Sequence, residues 1–275
     1  MQATATMMTS QREQSDQARM RALVRFNGLT FHSLAAASFL ETAVPLHVNR
    51  LTQVFSACPD VQLWLEQIWW PQRAELGRRL RERVEATWPE FDWNSAYDEF
   101  YGNYRPRSGL RDRRGSLALE ALGLCVTAAQ AAAFYRSLAG SADEPSLRAI
   151  ARDAARDHAA HFDYFRALFE RCKRLERVGF VAAWRAAVAI CRSARDDDVA
   201  AAFAPLDRNW NGAPIVPGLS YQEYRERLAQ LIRRRSAPGW VERLLFRPWL
   251  ERDRAAPAPL SARPQPWSLP APLAA

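Results

Sequence analysis

The sequence predicts an all-α protein, and three observations carry the prediction. Apolar residues recur at alternating three- and four-residue spacing along most of the chain, the period of a helix with one buried face. Eleven glycines and ten tryptophans in 275 residues favour long helices with bulky packing over a turn-rich β architecture. Proline falls where one helical run stops or the next begins, at Pro59, Pro89 and Pro145. With 48% hydrophobic and 11% aromatic residues, the chain can bury a sizeable core in one large domain or two small ones.

Residues 1–18 read as a polar leader without the apolar stretch of a secretory signal. A long helical stretch over about 19–56 places Leu34, Ala37, Glu41, Val44, Val48, Leu51 and Phe55 on one face. Pro45 lies inside that stretch and is expected to kink or split it, because proline removes a backbone donor. A second helix starts near Pro59-Asp60 and runs to about Trp88. The aromatic segment 89–115 reads as a structured crossover with a short helix. A third helix covers about 116–139, Gly140 to Asp143 make a turn in which Asp143 can cap the next helix, and a fourth helix runs about 144–175. Further helices are expected near 177–194, 196–206, 220–235 and 237–250, the third of them opening on a capping box, Ser220 with Glu223. The chain therefore divides into a leader at 1–18, a helical bundle at 19–175, a C-terminal helical extension at 176–253 and a proline-rich tail at 254–275.

The formal net charge of +8 invites a nucleic-acid reading, which the composition weakens. Lys173 is the sole lysine, so the positive charge is almost all arginine in an alanine-rich chain, and the densest basic runs are interleaved with acidic or apolar residues. Cys58, Cys125, Cys172 and Cys191 show neither CxxC nor CxxH spacing, which argues against a zinc ribbon or a disulfide scaffold, and Cys125 and Cys191 are expected as buried thiols. No uninterrupted apolar run reaches the roughly 18–20 residues of a membrane span, and a cytoplasmic protein without a membrane segment is the expectation. GxSxG, phosphate-loop and GxGxxG motifs are absent.

Polar residues on apolar stripes single out candidate site positions. The fourth helix carries an inward stripe of Leu147, Ala151, Ala154, His158, His161, Phe165, Leu168 and Cys172, which sets two histidines one turn apart on the core seam. Neutral imidazoles there can share a metal or accept hydrogen bonds. Glu41 interrupts the stripe of the first helix in the same way. Glu120 is the only charged residue between Ser116 and Tyr135, and is either drawn into a site or held partly exposed by the helix dipole in the first turn. His47 lies on a different face of the first helix and reads as a supporting group.

The run from Glu144 to Ala151, followed by Asp157-His158-Ala159-Ala160-His161-Phe162, resembles the fourth helix of the ferritin-like di-iron carboxylate superfamily, in its desaturase and bacterial oxygenase branch. The segments Ala133–Ala139 and Trp70–Gly77 resemble that family's third and second helices, so the resemblance spans about residues 25–175. It implies a four-helix bundle core with added C-terminal helices, and a metal set of Glu41, His158 and His161 with Glu120 as a fourth candidate. Asp157 and His47 would support it. The chain departs from the family pattern at several ligand positions. His158 replaces the glutamate of Asp-Glu-x-x-His, Arg73 and Leu76 stand where Glu-x-x-His belongs, and the third-helix glutamate falls near Thr127, Ala128 or Ala129. Arg73 either supplies the positive charge that metals otherwise supply, neutralising Glu41, or extends outward beside Arg78 and Arg81.

Two readings follow from the resemblance. In one, a reduced site holds iron, or less readily manganese, and the protein is a non-haem iron oxidoreductase or oxygenase acting on a small or carrier-bound substrate. In the other, the di-iron ligands are lost and a non-catalytic bundle without a metal binds a protein partner or acts as a scaffold. A homodimer is compatible with both, and nucleic acid is a less favoured partner, as a basic binding module.

Overall fold

The computed structural model describes residues 24–104, 116–193 and 198–235. The leader, part of the aromatic crossover, the helix expected at 237–250 and the proline-rich tail lie outside the described residues. Within them the protein is helical without a strand, apart from an isolated antiparallel bridge between Phe91 and Trp210. The helices are α1 (Gly28–Thr42), α2 (Val44–Val54), α3 (Pro59–Trp64), α4 (Trp70–Thr87), α5 (Trp93–Asn103), α6 (Leu117–Ser141), α7 (Pro145–Glu176), α8 (Phe180–Ser193), α9 (Asp198–Arg208) and α10 (Tyr221–Arg235).

Pro45 splits the first helical stretch. Pro45 occupies the opening turn of α2, where its missing N–H costs nothing, and Ala43 joins the two helices. The apolar stripe survives the break, since Leu34, Ala37, Glu41, Val44, Val48, Leu51 and Phe55 are all buried. A π-helical turn, Leu65–Trp69, links α3 to α4 and buries both Leu65 and Trp69. Such turns widen the helix by one residue and recur at functional sites.

Helices α6 and α7 form a long hairpin. Asp143 does not cap α7; Glu144 does, its carboxylate accepting from the Ser146 and Leu147 N–H groups at 3.3 and 2.8 Å. Glu144 also meets Arg83 of α4 at 2.8 Å, a tertiary partner that Asp143 does not have in this arrangement. At the other end of the hairpin, Glu176 accepts from the Leu117 and Ala118 N–H groups at 2.7 and 3.2 Å, a carboxylate set on the positive end of α6. The capping box opening α10 forms as expected, Ser220 Oγ accepting from Glu223 N–H at 3.2 Å and Glu223 from Ser220 N–H at 3.0 Å. Cys125 is a buried free thiol, as its apolar setting predicts, and the Cys191 side chain lies outside the described residues. Helix α6 is long and apolar enough to cross a membrane by length and composition, although charge interrupts its apolar run as expected. Its two charges, Glu120 and Arg136, sit toward its ends, and half of its most apolar window is buried within the protein.

Helix α1 packs against α4 at Gly77, where an added Cβ would lie 2.9 Å from the Thr42 nitrogen and 3.1 Å from the Glu41 carbonyl carbon. That close approach brings the end of α1 onto α4 one turn beyond Arg73. The apolar interior forms two main clusters. The first gathers Phe31, Phe39, Leu76, Leu80, Trp88 and Tyr135 with their neighbours; the second gathers Val44, Leu51, Trp69, Ala129, Phe162 and Phe165 with theirs.

Candidate functional site

A polar layer lies at the join of the two apolar clusters. Near the end of α1, Glu41 comes just before the switch from Ala43 of the first cluster to Val44 of the second; between Trp69 and Leu76 come Gln72 and Arg73 of α4; between Ala154 and Phe165 of α7 come His158 and His161. Helix α6 contributes Tyr135.

Glu41 is the centre of the layer. It is 4% exposed and sits in the last turn of α1, where the helix dipole disfavours a carboxylate. Burial alone would raise its carboxyl, but the Arg73 guanidinium and His158 outweigh burial and bring it down to about 2. Arg73 Nε donates to Oε2. Tyr135 donates its phenolic hydrogen to Oε1 at 3.0 Å, and His158 donates from Nε2 to the same oxygen at 3.3 Å. Arg73 also lies over the Trp69 ring at 5.2 Å, and the Tyr135 ring stacks on His158 at 5.3 Å. The Tyr135 hydroxyl is pushed well above its ordinary value by burial and by the Glu41 charge, so it acts as a donor.

His161 faces the surface end of the layer. Its Nε2 donates to Gln72 Oε1 at 2.8 Å, and its ring meets His158 edge-on at 5.5 Å and Trp64 edge-on at 5.9 Å. Burial first, then the neighbouring His158 and Arg73 charges, lower it to about 3, so the ring is neutral at pH 7. Its Nδ1 is buried and has no hydrogen-bond partner.

Glu41, Arg73 and His158 thus meet as one cluster with His161 at its edge, and Glu120 is not part of it. Glu120 forms an ion pair with Arg50 of α2. It stands fifteen positions before Tyr135 on α6, about 22 Å along the axis, which takes it to the far end of the hairpin. His47 pairs with the Tyr104 hydroxyl at 3.0 Å and is lowered to about 3 by burial and then by Arg73 and Arg50. Asp157 is half-buried, and burial raises its carboxyl. Tyr135, not a residue near Thr127 to Ala129, is the α6 contribution. Thr127 is exposed, and Ala128 and Ala129 lie in the second apolar cluster.

Sequence reasoning missed Tyr135 and Gln72. Helix α6 is apolar on nearly every side, so no stripe marks which residue faces the layer; only the phenol in an alanine run hinted at it. The fourth histidine, His32, was also passed over. It ties α1 to α9, with Nδ1 2.7 Å from the Gly28 carbonyl and Nε2 3.2 Å from Asp207, while its ring stacks on Phe203.

The residues of the layer do not fit a di-iron centre. Glu41 is its one carboxylate; Arg73 holds one oxygen, and Tyr135 and His158 share the other. A fixed guanidinium against that carboxylate repels a second cation. Among the described residues, no group of three or more histidine, cysteine, aspartate or glutamate side chains is arranged to hold a metal ion. Compared with known proteins, the chain matches no family model, no curated protein and no solved structure.

Proposed function

We propose that this chain is a non-catalytic bundle of ferritin-like type whose polar layer is held by Arg73 in place of a metal, and that it works by binding a protein partner or as a scaffold. The observation that carries the reading is the Arg73–Glu41 ion pair, with side chains only 14% and 5% exposed. The guanidinium neutralises the carboxylate, its Nε donating to Oε2, and so takes the place that a coordinated cation would otherwise hold. Four helices meet at the layer, so the pair ties α1 to α4 while Tyr135 and His158 bring in α6 and α7.

His161 favours a second reading, a single retained metal. Its Nε2–H is oriented by Gln72, which leaves a neutral Nδ1 lone pair pointing at no donor, the state in which histidine ligates. Weighing against it is Arg73, whose charge the metal would have to displace or tolerate. Differential scanning fluorimetry with added ferrous iron or manganese separates the two. The metal-free reading expects an unchanged melting temperature with either ion; a concentration-dependent rise would support the retained-metal reading, because a ligand bound only to the folded state stabilises it.

A further inference from the structure

Helix α3 runs antiparallel to the second half of α7, and two contacts fix the register. Asp60 accepts from Arg171 at 2.6 Å, and Trp64 stacks on Tyr164 with ring centres 3.6 Å apart and planes 5° from parallel. Moving back along α3 therefore means moving forward along α7. Cys58, the N-cap residue just before α3, lies two positions before Asp60, and Cys172 directly follows Arg171. Cys58 packs against the apolar cluster that contains Cys172. Burial raises the Cys172 thiol first, the neighbouring Arg171 opposes it, and Cys58 is near enough to add to the rise.

From this register we infer that Cys58 and Cys172 form a thiol pair that closes into a disulfide under oxidation, a modification site that fastens α3 to α7. Cys58 is half-buried and Cys172 is 3% exposed, which assigns the roles. Cys58 is the attacking thiol and Cys172 the resolving one. The oxidant is a low-molecular-weight disulfide. The Cys58 thiolate attacks one of its sulfurs, and the departing thiolate takes up a proton equivalent to the one Cys58 lost. Cys172, deprotonated in turn, attacks the Cys58 sulfur of the mixed disulfide and expels the second small thiol. Two protein thiols are oxidised and one small disulfide is reduced to two thiols. The bond would enclose the loop from Cys58 to Cys172, long enough to raise thermal stability markedly. It would also hold Trp64 against His161, whose ring it meets.

The test treats the folded full-length chain with excess oxidised glutathione, then blocks remaining thiols under denaturing conditions and maps peptides by mass spectrometry. The expected product is a Cys58–Cys172 linked peptide, with a melting temperature several degrees higher that returns to its original value with dithiothreitol. Cys172→Ser is expected to stop at a glutathione adduct on Cys58, and Cys58→Ser to leave Cys172 unmodified. A wild-type protein that stops at the adduct, pairs Cys58 with another cysteine, or does not react while folded overturns the inference.

Discussion

Replacing Arg73 by methionine tests the polar layer most informatively, because it removes the charge and keeps much of the volume. The guanidinium is 14% exposed and its partner carboxylate 5%, so the variant leaves Glu41 buried with only Tyr135 and His158 as donors. Removing one partner of a buried ion pair costs about 3–5 kcal/mol, chiefly because the remaining charge is left uncompensated. The pH dependence has a definite sign. In the wild-type protein the Glu41 carboxyl lies at about 2, against 4.5 for the free group, so the pair stabilises fully above 4.5 and the contribution is lost as pH falls through 2. Without Arg73, burial is opposed only by His158 and Tyr135, and the Glu41 carboxyl rises. A raised carboxyl destabilises at high pH and is relieved by protonation, so the penalty of Arg73→Met shrinks as pH falls. Urea unfolding followed by circular dichroism at pH 7 and pH 5 reads both quantities. The double variant Glu41→Gln with Arg73→Met should recover a large part of the loss, since no buried charge is then stranded. A cost under about 1 kcal/mol at pH 7, or one that grows toward pH 5, would refute the reasoning.

Further predictions concern single contacts. Gly77→Ala forces a Cβ within 2.9 Å of the Thr42 backbone nitrogen, which cannot yield as a side chain would, and should cost about 1–3 kcal/mol in the same unfolding assay. Tyr135→Phe removes one donor to Glu41 and should cost about 1–2 kcal/mol, with the melting temperature as readout and no change in helical content. His161→Ala should cost on the order of 1–3 kcal/mol, and ferrous iron should make no difference to the melting temperature of the wild-type protein or of this variant. His161 and His47, both held near 3, are neutral when folded and charge freely when unfolded; their contribution is complete above 6.5 and falls as pH drops toward 3. Each should therefore remove up to about 3 kcal/mol of stability between pH 7 and pH 4, and His161→Gln should flatten that decline in an acid titration of unfolding free energy.

Much of the helical framework is legible in the sequence alone, and the reasons are local. Helix α7 is strongly amphipathic over 32 residues, so every member of its expected stripe from Leu147 to Cys172 is buried. Pro45 is expected to kink or split the first stretch, and it splits it by opening α2. The inward placement of Glu41, His158 and His161 is also readable from stripe positions. What is not readable depends on pairs far apart in sequence. Whether Arg73 turns inward depends on α1 approaching α4 at Gly77, a contact that no spacing along one helix encodes. That the cap, Glu144, is also paired with Arg83 of α4 is likewise a contact the local sequence does not carry. Glu120 is drawn to Arg50, a partner in α2 that becomes available only after the chain breaks at Ala43. Tyr135 is hidden because a helix apolar all round carries no phase from which to read its inward face.

The central claim is that Arg73, and not a metal ion, is the cation of the polar layer. The most direct measurement is the metal content of the full-length protein produced with added iron, determined by mass spectrometry of the elements, alongside melting temperatures before and after chelation. The account predicts iron and manganese far below one ion per chain and a melting temperature that chelation leaves unchanged. About one ion per chain, released by chelator with a fall in melting temperature and retained by Arg73→Met but lost in His161→Ala, would contradict it.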